Sequence, residues 1–106
     1  MLIRSLLFIL SLATGFSAQA MEWLIDVRTA DEYIARHADG AANIEYQQIV
    51  MGVRQLGVNK QDTIHLYCRS GRRADIAREA LLHAGYINVE NLGTLAQAEA
   101  WRQQAR

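Results

Sequence analysis

Thr63-Ile64-His65-Leu66-Tyr67-Cys68-Arg69-Ser70-Gly71-Arg72-Arg73-Ala74 is the stretch that decides the fold. Thr63 to Tyr67 is a short β-branched and aromatic run, the composition of a strand. Ala74, Ala77, Ala80, Leu81 and Ala84 then recur on one helical face, and Gly85 stands where a helix end favours glycine. A strand that hands over to a helix through so short a loop is half of a βαβ unit. Cys68 sits at the handover.

Upstream, Trp23 to Val27 reads as a first strand, ending in the charged turn Arg28 to Glu32. Thr29 with Glu32 three residues on predicts a capping box, in which each side chain satisfies the other's free amide. A short helix through Tyr33, Ile34 and Ala35 follows, expected to stop near Asp39-Gly40. Ala41 to Ile44 reads as a weak second strand. Ile49, Val50, Val53 and Leu56 fall at helical spacing before Gly57. Downstream, Tyr86 to Glu90 reads as a fourth strand and Leu95 to Gln104 as a final helix holding Trp101. Strands alternating with helices make this an α/β chain, with a small, mainly parallel sheet of about four strands flanked by helices.

The first residues are a separate object. Arg4 gives a basic start, Leu6 to Phe16 an apolar run, and Ala18 and Ala20 the small side chains a leader peptidase accepts. The pattern predicts a signal peptide over 1–20, cleaved before Met21, and one domain over 21–106. The uncharged stretch is short and polar for a membrane span, which takes about 20 mostly apolar residues. No stable membrane association is expected after cleavage. The whole chain carries 11 basic and 11 acidic residues and is 51% hydrophobic. That balance argues against nucleic acid, whose phosphates need a clustered basic excess, and against disorder. A single cysteine excludes an internal disulfide and any multi-cysteine metal site. His37, His65 and His83 are too scattered to propose a metal, and no cofactor is implied. Monomer is the default for a domain with no evident extra apolar face.

Cys68 has two readings. A lone cysteine is most often a small buried hydrophobe. Here its flank, Arg69 to Arg73, is too polar to be buried with it, and an unpaired thiol is a hazard in an oxidising compartment. Amides wrapping at the start of a helix form an anion-binding nest, and Gly71 permits the backbone angle it needs. A partly exposed thiol there should ionise easily.

Taken in order, several segments resemble the rhodanese superfamily, in particular its small single-domain periplasmic thiosulfate sulfurtransferases of the phage-shock type. They are Ile25-Asp26-Val27-Arg28, Asp31-Glu32-Tyr33 with His37, and Gly40-Ala41-Ala42-Asn43-Ile44. Tyr67 to Ala74 and Gly85 to Gly93 complete the set. The chain departs from the family pattern at Asp39, Glu45, Ala74 and Thr94, and lacks a first strand before Trp23.

The resemblance implies double displacement. Cys68 takes the outer sulfur of thiosulfate as a persulfide and passes it to a small thiophilic acceptor, cyanide or a thiol. It implies that Arg69, Ser70, Gly71, Arg72 and Arg73 surround the substrate, with Arg73 matching the family's loop arginine, and it implies a periplasmic location. Asp26 and Arg28 either steady that loop through an ion pair or serve only the start of the helix. A phosphatase or arsenate reductase of the same fold needs an arginine where this chain has Ala74. A non-catalytic binding module usually lacks the cysteine, and a thiol–disulfide oxidoreductase usually wants a second one.

Overall fold

The structure, a computed structural model, describes residues 19–105. Four parallel strands form one sheet in the order β2-β1-β3-β4: β1 Glu22–Asp26, β2 Ala42–Asn43, β3 Thr63–Cys68 and β4 Asn88–Thr94. Four helices connect and flank them: α1 Ala30–Ala35, α2 Ile49–Gln55, α3 Arg72–His83 and α4 Leu95–Gln104. A 3-10 turn over Tyr46–Gln48, which the sequence pattern did not suggest, leads into α2. The expected α/β architecture is the observed one. The leader expected over residues 1–20 lies outside the described residues except for Gln19 and Ala20. Among the described residues no helix is long and apolar enough to cross a membrane.

Side chains alternate across a strand, and both faces of this sheet are covered, as parallel sheets require. Ile25, Val27, Ile64, Leu66 and Cys68 pack on one face against Ile49 and Val53 of α2 and Ala74, Ala77 and Leu81 of α3. Leu24 and Tyr67 pack on the other against Ala38, Ala41 and Ala98 of α4. Helices on both faces bring the carboxyl ends of β1 and β3 side by side, with Asp26 paired to Tyr67. That edge is where open α/β sheets bind ligands.

Two elements differ from the sequence pattern. The first helix stops at Ala35 because tertiary contacts take the chain beyond it: Arg28 Nη2 donates to the Arg36 carbonyl at 2.6 Å, and the Ala38 amide donates to Tyr67 Oη at 3.0 Å. The fourth strand starts at Asn88, because Tyr86 belongs to the helix end before it. Gly85, at φ +97°, lets the Tyr86 amide reach the Leu81 carbonyl and its own amide reach Leu82, a Schellman closure. The Tyr86 ring, 2% exposed, then fills the core.

Candidate active site

Cys68 ends β3 and Arg72 begins α3, so only Arg69, Ser70 and Gly71 separate them. Gly71 is the residue before the helix and holds φ +93°, a left-handed conformation open to glycine. That turn aims its amide at the thiol, and Gly71 N–H donates to Cys68 Sγ at 3.0 Å. The Arg72 amide turns to Ser70 Oγ at 3.4 Å.

The thiol is not partly exposed. Cys68 is fully buried at 0%, because the alternation that puts Ile64 and Leu66 under α3 puts Cys68 there too. The polar flank reaches solvent while the cysteine does not: Arg69, Ser70 and Arg72 are exposed. Both sequence readings therefore hold in part, a core cysteine beneath a polar loop.

Arg73 is taken up by an ion pair across to α1. Its guanidinium holds Glu32 bidentately, Nη1 to Oε1 at 2.8 Å and Nη2 to Oε2 at 3.1 Å. The same carboxylate completes the Thr29 capping box at the start of α1. Arg73, with further help from Thr29, pulls the Glu32 carboxyl down to about 2. Arg69 and Arg72 form no ion pair among the described residues.

Beside the loop lies a cleft of about 520 Å³. Arg69 lines it with Arg28, Thr94, Leu95 and the exposed Arg36–Glu99 pair. Asp26 and Arg28 do form their ion pair, at 2.6 Å, and both are buried. The hydrogen bond to Asp26 raises the Arg28 pKa further. Arg28 also lies over the Tyr67 ring at 5.6 Å and binds the Arg36 carbonyl, so the pair fastens the end of β1 to α1 and borders the cleft.

Asn91 is a site residue that sequence reasoning passed over. Its Nδ2 donates to the Gly71 carbonyl at 2.8 Å, and its Oδ1 accepts from the Gly93 amide at 2.8 Å. It sits where the β3–β4 register slips between Leu66 and Tyr67. A bulge re-aims a side chain, and here the asparagine clamps the cysteine loop to β4. A signal was present in Asn91-Leu92-Gly93, since Asn and Gly within a strand mark a bulge. Among the described residues, no group of three or more His, Cys, Asp or Glu could hold a metal ion.

A family model described as the rhodanese-like domain matches residues 11–94. The chain belongs to the rhodanese family. It is similar to the thiosulfate sulfurtransferase PspE of Escherichia coli strain K12, with 38% identity over 89 residues, 82% of this chain and 86% of that one. Among solved rhodaneses, one from E. coli with anions shares 37% identity at TM-score 0.68, covering 72% of this chain and 89% of its own. A rhodanese-like domain from an Anabaena protein shares 26% identity at TM-score 0.67, covering 77% of this chain and 91% of its own.

Proposed function

We propose that this rhodanese is a thiosulfate sulfurtransferase working through a Cys68 persulfide. The observation that carries the reading is the Gly71 amide aimed at Sγ at 3.0 Å, in a loop whose Arg69, without an ion pair among the described residues, lines the neighbouring cleft. The Cys68 thiolate attacks the outer sulfur of thiosulfate. The thiosulfate S–S bond breaks, and sulfite leaves with the electron pair. A thiophilic acceptor, cyanide or a thiol, then attacks the outer sulfur of the persulfide and returns the thiolate. Charge and electrons balance in each half, so no cofactor is needed, and ping-pong kinetics follow.

Arg69 receives the dianion in this scheme, because Arg73 is occupied by Glu32. Arg72 adds to the attraction from outside, and Ser70 and Gly71 supply the loop around the sulfur. Because Sγ is buried, thiosulfate enters by displacing the exposed Arg69-Ser70 segment. Ala74, fully buried in the core, stands where oxyanion enzymes of this fold need arginine, which favours sulfur over phosphate. The similarity to PspE, a thiosulfate sulfurtransferase by name, supports the same reading.

The leader pattern supports export to the periplasm with cleavage between Ala20 and Met21, and the domain acts there as a monomer. The test of function is intact mass before and after thiosulfate. A gain of one sulfur atom, lost on adding cyanide and absent in Cys68→Ser, supports the scheme. No gain in a folded protein with a titratable thiol sinks it.

A further inference from the structure

Asp62, in the turn before β3, is a buried anion without a cation. It is 1% exposed. Its Oδ1 accepts from the Met21 amide at 2.9 Å, and its Oδ2 accepts from Trp23 Nε1 at 2.9 Å and the Asn59 amide at 2.9 Å. All three donors are neutral. Lys60, two residues away, directs its ammonium to the Ala84 carbonyl and the Tyr86 ring. Glu22 turns its carboxylate to His65. Among the described residues, no side-chain cation pairs with Asp62. The three neutral donors hold the carboxyl below the usual carboxylate range, the Met21 amide first among them, and an opposite charge in place of that neutral amide would hold the anion more tightly still.

The nitrogen facing Oδ1 is the one that leader cleavage would free. We propose that cleavage between Ala20 and Met21 places the new Met21 α-ammonium on Asp62, so that processing completes a half-buried ion pair and stabilises the mature domain. This rests on the export reading above, and it is independent of sulfur transfer. Water adds across the Ala20–Met21 amide. Its hydroxyl goes to the Ala20 carbonyl, and protons go to the Met21 nitrogen, turning a single N–H donor into an ammonium. The backbone around that nitrogen is already fixed, because the Met21 carbonyl accepts from the Thr63 amide at 2.9 Å. Gln19 and Ala20 lie outside any strand and are exposed. With its nitrogen engaged in the folded domain, the scissile bond is cut before folding, while the chain is being translocated.

The pair has a pH signature. An amine gaining an anionic partner has its folded pKa raised above the ordinary value of about 7.7–8.0. Its contribution is therefore fully present below about pH 7.7 and is lost as pH rises through the raised value.

The test compares chains beginning at Met21 and at Gln19, each with and without Asp62→Asn. The Met21 chain should melt about 4–8 °C higher at neutral pH, about a fivefold change in the folded-to-unfolded ratio for a domain of this size. That gain should vanish in Asp62→Asn and shrink above about pH 8. Equal midpoints overturn the proposal, and so does a gain that survives Asp62→Asn. Should the variant fold poorly, titrating the Met21 amine by reductive methylation of the otherwise unaltered Met21 chain decides alone: a raised value supports the pair, and an ordinary one overturns it. N-terminal sequencing of the exported protein supports the proposal if it begins at Met21 and overturns it if it begins elsewhere. The sulfur-gain experiment stands or falls separately.

Discussion

Arg73 and Glu32, 41 residues apart in sequence, join the first turn of α3 to the first turn of α1 through two parallel contacts of 2.8 and 3.1 Å. Glu32 is also the capping-box acid of α1. One carboxylate therefore fixes the start of two helices that border the Cys68 edge of the sheet. Arg73 is thereby tied to α1, and of the arginines lining the cleft Arg69 is the one without an ion pair among the described residues.

The Glu32 pair should give stability an acid limb. Arg73 lowers the carboxyl from 4.5 to about 2. A depressed carboxylate stabilises fully above its unfolded value and loses that contribution as pH falls toward and through its folded one. Glu32→Gln keeps the cap, since glutamine serves at that position, but loses the charge. It should cost about 0.5–1 kcal/mol at pH 7, and the gap to the parent should close as pH falls from about 4.5 toward 2. Denaturant midpoints at several pH values would show it, and a gap independent of pH would refute it.

Arg69 and Arg73 should separate kinetically. In the proposed scheme Arg69→Gln removes one charge-assisted contact to thiosulfate, about 1.5–3 kcal/mol, so its KM should rise about ten- to a hundredfold with stability unchanged. Arg73→Gln should instead lower the melting midpoint, with a smaller rise in KM. Steady-state kinetics with thermal melts on both variants decide, and the reverse pattern would return the substrate to Arg73.

Much of this was readable from residues. The Thr29–Glu32 box, the Gly85 stop and the strand-to-helix handover at Cys68 are local signals, and local physics made each of them. The burial of Cys68 was readable too, from the parity of Ile64 and Leu66, but the polar run after it pointed the other way. What could not be read depends on partners far away in sequence. Arg36 leaves the helix because Arg28 takes its carbonyl, and Arg73 is occupied because Glu32 faces it across the edge. Asp62 reads as an ordinary turn aspartate until Met21 and Trp23 close over it.

Cys68→Ser should abolish sulfur uptake while keeping the fold. The Gly71 amide can donate to Oγ as it does to Sγ. The cost should be about 1–2 kcal/mol, because the serine hydroxyl proton is brought into an apolar cluster. Circular dichroism melts with intact mass after thiosulfate test both halves. Sulfur uptake by the variant would dismiss Cys68 as the carrier.

Gly71→Ala should be destabilised by about 1–2 kcal/mol, through backbone strain rather than crowding. At φ +93° an L side chain is strained, yet a Cβ would meet Gly93 Cα only at an ordinary 3.5 Å. Gly71→Asn, which tolerates the left-handed region better, should recover part of the loss in both stability and transfer rate. Equal losses in the two variants would mean that space, not conformation, governs the site.

Asn91 offers a sharper test, because its two bonds can be split. Asn91→Asp keeps an acceptor for the Gly93 amide but turns a carboxylate toward the Gly71 carbonyl, where Nδ2 now donates at 2.8 Å. Two acceptors repel, so the Gly71 turn loosens, and a negative charge arrives one peptide unit from Sγ. Both effects disfavour the thiolate. Asn91→Ala removes both bonds but adds no charge. A purely structural asparagine would rank alanine as the worse variant in every assay. Positioning of the thiolate instead makes aspartate the worse variant for sulfur uptake, with slower alkylation of Cys68. Alkylation rates of Cys68 across pH, beside melting midpoints, separate the two. If aspartate outperforms alanine in both measurements, Asn91 serves the bulge alone.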